Sequence, residues 1–179
     1  MKDQAMSNDR QVGLELHHEI EQFLYAEARL LDGSDLRAWL TDMVDPEIRY
    51  QVVSYEERMR RDRRPKDGAI LYINDDNFMV LDMRVKQFES GMQTMLDPLQ
   101  RMRRVVSNVT AFHGDSDGEF HVLSYVTASR FRRLYEHEQL VYGREDVLRR
   151  DGEGKLRVAS RRAEIDERVP RNKNILFFL

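Results

Sequence analysis

Leu16, Ile20, Phe23, Leu24 and Leu31 recur at spacings of three, four and seven. That spacing gathers them on one stripe of a helix over about 13–31, with Glu15, Glu19 and Arg29 on the opposite face. Asp32, Gly33 and Ser34 end it. Glycine tolerates the left-handed conformation of a helix C-terminus, and Ser34 is placed to cap a short second helix holding Leu36, Trp39 and Leu40. Ile48, Tyr50 and Val52 then alternate with Arg49 and Gln51, which predicts a half-buried strand leaving an Asp45-Pro46 turn. The segment 54–67 is crowded with Arg58, Arg60, Arg61, Arg63, Arg64 and Lys66, and so much like charge predicts an exposed excursion. Asn74, Asp75 and Asp76 precede Phe78, Leu81, Val85 and Phe88, so a third amphipathic helix starts at an Asx cap and stops at Gly91.

After Arg103 the period of the pattern falls to two. Strands are predicted over 105–109, 119–134, 139–150 and 155–166, with turn-forming spacers at 113–118 and 151–154. Helices first and hairpin-linked strands afterwards describe an α+β fold, with N-terminal helices packed on one face of a curved, mainly antiparallel sheet. The 179 residues suit one domain over 1–179, with the polar residues 1–11 expected to be flexible.

Composition narrows the function classes. The net charge of -3 arises from 29 basic and 32 acidic side chains, so local pairing is favoured over a one-signed field and bulk nucleic-acid binding is not expected. No run approaches the ~20 apolar residues of a membrane span, and the first residues lack the apolar core of a signal peptide. A cytoplasmic location is expected. The absence of cysteine removes thiolate nucleophiles and every cysteine-ligated zinc or iron–sulfur site.

The histidines are His17, His18, His113, His121 and His137. His17 and His18 are adjacent on a helix and diverge by about 100°, so they do not form a metal-gripping i, i+4 pair. His113 and His137 fall in predicted turns as solvated imidazoles. His121 alternates toward one face of a strand, where a general base could line a pocket. Asp45, with Asp42 and Tyr50 close by in sequence, could supply the acid and phenol of a dehydratase or isomerase cavity. A ligand-binding module would share that cavity without a paired acid and base. Most other carboxylates interleave with arginine, as in Arg144-Glu145-Asp146, and cross-strand ion pairing accounts for them.

Two further clusters stand out. Arg101, Arg103, Arg104 and Asn108 adjoin an apolar strand, and forked guanidinium groups suit carboxylates on a partner subunit. Asn174 is followed by Ile175, Leu176, Phe177, Phe178 and Leu179, a run too apolar to stay in water. An ordered strand is expected there, buried in the domain, in a neighbour, or in both.

These clusters belong to a wider pattern: Glu21 to Asp32, Trp39-Leu40, Asp45 and Tyr50, Arg84-Val85, Gly91, Asp97-Pro98, Arg101 to Arg103, Ser107-Asn108-Val109, Gly143 to Arg150, Arg161 to Asp166, and the run from Asn174 to Leu179. In that order the chain resembles the small (beta) subunits of aromatic-ring-hydroxylating dioxygenases. Thr94, Leu99, Gln100 and Arg104 depart from the usual pattern. The resemblance implies a cystatin-like cone of the kind found in nuclear transport factor 2. It also implies a non-catalytic structural and assembly subunit, joined to a large alpha subunit in an alpha3beta3 hexamer with a beta trimer. The alpha subunit would carry the Rieske [2Fe–2S] cluster and the mononuclear non-haem iron, fed from NADH through a reductase and ferredoxin, and would cis-dihydroxylate an arene. The competing expectation is a free-standing cavity enzyme using Asp45, Tyr50 and His121.

Overall fold

In this computed structural model, residues 10–55, 59, 61, 63, 70–91, 100–167 and 177–179 are described. Helix α1 (Leu14–Asp32) buries Ile20, Leu24, Glu27 and Leu31, the stripe that the 3.6-residue period demands. Its C-terminus differs from the expectation. Gly33 stays helical at φ -76°, and Ser34 takes the left-handed conformation at φ 60°. Asp35, not Ser34, caps α2 (Leu36–Ala38), accepting from the Ala38 N–H at 3.4 Å. A π-helical turn, Trp39–Met43, continues it and buries Trp39, Leu40 and Met43.

Strand β1 (Val44–Tyr55) already contains Asp45 and Pro46, so the expected turn is instead an irregular strand start whose register against β6 shifts between Val44 and Arg49. Strand β2 (Ile70–Asn77) has no counterpart in the sequence reading. It takes Asn74, Asp75 and Asp76 into its ladder with β1, which moves the Asx cap to Asn77, whose side chain accepts from the Val80 N–H at 3.1 Å. Helix α3 (Phe78–Glu89) then buries Leu81 and Val85. Gly91 follows at φ 65°, a left-handed position that a side chain would strain. The first two residues of the expected excursion, Ser54 and Tyr55, belong to β1, with Ser54 buried; the rest lies outside the described residues except at positions 59, 61 and 63, which are exposed.

Strands β3 (Arg101–His113), β4 (Glu119–Arg132), β5 (Glu136–Arg150) and β6 (Leu156–Ile165) form the expected antiparallel meander. The six-stranded order is β2-β1-β6-β5-β4-β3, and β1 lies parallel to β6. Bulges interrupt β1 at Val52/Val53 and β3 between Ser107 and Thr110, where Asn108 has φ 52°. Each bulge adds local twist and bends the sheet. Alternate residues, such as Val122, Val126 and Ala128 of β4, face the helices and join one core with Ile20, Leu24, Leu31 and Trp39. Gln11, placed by sequence in a flexible leader, bridges to Phe112 beside β3.

Candidate functional site

Between α1 and the sheet lies a cluster of buried charges formed by Glu27, Arg144, Asp146 and Arg161. Asp146 on β5 and Arg161 on β6 are direct cross-strand partners, and Glu27 faces them from the apolar stripe of α1. Arg161 meets both carboxylates as a fork, at 2.8 and 3.0 Å to Asp146 and 2.7 and 2.8 Å to Glu27. Arg144 approaches Asp146 at 2.9 Å and Glu27 at 3.3 Å. Its Nε and Nη2 lack hydrogen-bond geometry, so its contribution is chiefly charge neutralisation. Trp39 Nε1 donates to Glu27 at 3.0 Å. Two carboxylates and two guanidinium groups therefore balance in a space from which water is excluded.

Burial alone would push the Glu27 carboxyl up, but Arg161 and Arg144 nearby and hydrogen bonds from Arg161 and Trp39 hold it at about 2. Burial likewise opposes charge on Arg161, yet Asp146 and Glu27 raise it well above its usual range. The Tyr50 hydroxyl is pushed up to about 12 by burial. A general acid or base works best with a pKa near the operating pH. Glu27 and Tyr50 are shifted away from neutrality in opposite directions, which suits neither to general acid or base work near pH 7.

Next to this cluster, residues 177–179 fill the space between helices and sheet. Phe177, Phe178 and Leu179 are buried but form no strand, which corrects the expected strand over these three positions; 174–176 lie outside the described residues. Tyr50 donates its hydroxyl proton to the Leu179 carbonyl at 2.7 Å, and Arg104 donates to the Phe178 carbonyl at 2.6 Å.

The residues of the cavity-enzyme expectation do not converge. Tyr50 faces inward onto Leu179. His121 pairs with Phe112 and Val147 on the opposite side of the sheet, out of step with the core-facing Phe120 and Val122. The Asp45 carboxylate accepts from the Glu47 N–H at 2.8 Å and from Arg149 at 3.4 Å, while Asp42 is exposed. His137 belongs to β5 instead of a turn, and its ring stacks on Phe131 at 4.5 Å. His17 donates from Nε2 to the Val109 carbonyl at 3.1 Å. Scattered histidines and a chain without cysteine do not fit a Rieske cluster or a mononuclear iron centre. Among the described residues, no group of three or more histidine or acidic side chains is placed to hold a metal ion.

The proposed interface residues divide. Arg104 is buried, its backbone N–H and guanidinium both donating to Asp32, and Phe177 and Phe178 are buried in their own chain. Partners within their own chain hold these three. Arg101, Arg103 and Asn108 stay exposed along β3, a strand at the sheet edge. Asn174 lies outside the described residues. Beside Asn108, the sheet side away from the helices carries an open groove of about 530 Å³ lined by Tyr125, Glu145, Arg162 and Glu164 among others. Sequence reasoning assigned Arg144 and Asp146 to cross-strand ion pairing but missed that the cluster is buried and that Glu27 joins it. Its available signal was Glu27, which falls seven residues after Ile20 on the apolar stripe.

The family model described as ring hydroxylating beta subunit matches residues 26–172. The small oxygenase component of a 2,4-dinitrotoluene dioxygenase system from Burkholderia sp. (strain RASC) is 34% identical over 166 residues, covering 92% of this chain and 86% of that protein. A chain of the solved naphthalene 1,2-dioxygenase with indole bound in the active site superposes with a TM-score of 0.89 at 29% identity, covering 99% of this chain and 97% of that one. A cystatin-like protein of unknown function from Nostoc punctiforme, 17% identical with a TM-score of 0.53 over 89% of this chain and 98% of that one, shares the fold alone. The match along most of the chain and the fold built on α1 and the curved mixed sheet agree: this chain belongs to the ring hydroxylating beta subunit family.

Proposed function

We propose that this chain is the non-catalytic assembly subunit of a terminal oxygenase acting on aromatic rings. As one domain over 1–179, it would support a large alpha subunit in an alpha3beta3 hexamer built on a beta trimer. The alpha subunit holds the Rieske cluster and the mononuclear iron, and a ferredoxin and reductase deliver electrons from NADH in the cytoplasm. The observation that carries this reading is the interior itself. Its charges are neutralised by one another, and Phe178 and Leu179 occupy the space beside them, so among the described residues no substrate-sized acid–base site is left there. Arg101, Arg103 and Asn108, exposed on the β3 edge, are the residues available for the subunit boundary.

Co-expression with the large subunit from the neighbouring reading frame tests this proposal. Light scattering should report a complex with equal numbers of both chains. Arene dihydroxylation should require the large subunit, and metal analysis should find iron only when that subunit is present. A chain that stays apart from every such partner would sink the proposal.

A further inference from the structure

Residues 177–179 are held as a ligand is held, by side-chain donors and an aromatic box. The Phe178 ring lies 4.7 Å from Trp39, 6.0 Å from Phe88 and 6.5 Å edge-on from Tyr50. The Arg84 guanidinium carbon stands 4.5 Å from the ring centroid, within cation–π range. The Phe178 carbonyl accepts from Arg104 at 2.6 Å, and the Leu179 carbonyl accepts from Tyr50 at 2.7 Å and Arg161 at 3.2 Å. The Leu179 N–H donates to the Tyr50 oxygen. The void remaining beside the segment is about 20 Å³, too little for a second guest.

The three arginines that receive the segment are each fixed by other partners. Asp32 holds Arg104, Glu27 and Asp146 hold Arg161, and Asp76 holds Arg84 at 2.6 Å. A receptor organised by its own contacts retains its shape when the guest departs. We propose that the space between helices and sheet is a peptide-binding site occupied in cis by residues 177–179, which accepts in trans an extended peptide presenting a phenyl side chain followed by an aliphatic residue. The phenyl group supplies the apolar and cation–π contacts, and two successive carbonyls supply acceptors for Arg104, Tyr50 and Arg161. This inference requires no partner subunit, so it stands or falls separately from the assembly role.

The test uses the full chain carrying Phe178→Ala, which weakens the resident segment without touching the receptor, and a fluorescein-labelled peptide Asn-Ile-Leu-Phe-Phe-Leu. Fluorescence anisotropy should show at least tenfold tighter binding to the substituted chain than to the unsubstituted one. It should also show at least tenfold preference over the control peptide Asn-Ile-Leu-Phe-Ala-Leu. A folded Phe178→Ala chain that does not distinguish the two peptides overturns the proposal. If that variant does not fold, hydrogen exchange of the unsubstituted chain decides. The Leu179 amide should exchange at least tenfold faster than the central amides of β4 and β5, whereas exchange in step with them means that the segment leaves only on global unfolding and the proposal fails.

Discussion

Glu27 occupies a helix position where periodicity calls for an apolar side chain, and its ionised form is tolerated only because Arg161 and Arg144 face it. Replacing it by Gln leaves those guanidinium groups under-neutralised in a dry interior. Chemical denaturation of Glu27→Gln should show a loss of roughly 3–5 kcal/mol. The pH dependence has a definite sign. The carboxyl is held at about 2 in the folded chain against an ordinary 4.5, so its stabilisation is present in full above the unfolded value and disappears as pH falls toward 2. Urea titrations between pH 5 and 2 should register roughly 3 kcal/mol from this group, and Glu27→Gln should flatten that slope. Parallel acid curves for both proteins would refute the assignment. Ser34, at φ 60° with no side-chain bond to hold it, makes the opposite case: Ser34→Gly should raise stability by roughly 0.5–1 kcal/mol in a thermal melt.

At the scale of elements, legibility followed the strength of local periodicity. Helix α1 and the strands of the β3–β6 meander were readable because their long amphipathic runs carry a clear period, marked off by glycine-containing turns at 114–118 and 152–154. Strand β2 was not. Leu71, Tyr72 and Ile73 are all exposed, so burial imposes no alternation on them, and Asn74 to Asp76 imitate a cap. The true cap is testable, since Asn77→Ala should cost about 1 kcal/mol by removing the acceptor of the Val80 N–H. The conformation of residues 177–179 was equally hidden, because side chains from distant elements, and not a neighbouring strand, hold their carbonyls. Sequence grouped Arg104 with Arg101 and Arg103 by composition, yet strand alternation sends Arg104 inward and its neighbours outward.

At the scale of the molecule, that division predicts different phenotypes for neighbouring arginines. The Arg101→Glu/Arg103→Glu double variant should weaken association with the large subunit at least tenfold by ultracentrifugation, while the isolated chain melts as before. Arg104→Ala should instead lower the melting temperature, because Asp32 and the Phe178 carbonyl lose a shared donor. The parallel pairing of β1 with β6 joins residues more than a hundred positions apart, and non-local contacts of this kind slow folding.

The burial of Phe178 and Leu179 also has a consequence in time. Their receptor is drawn from residues as early as Trp39 and as late as Arg161, yet its guest emerges from the ribosome after all of them. With elongation at roughly 5–20 residues per second, the segment is synthesised on the order of a second after β6, so the hollow cannot be filled by its own guest before then. During biosynthesis, that interval is when a chaperone can engage this hollow and when mispairing with another nascent chain is most dangerous.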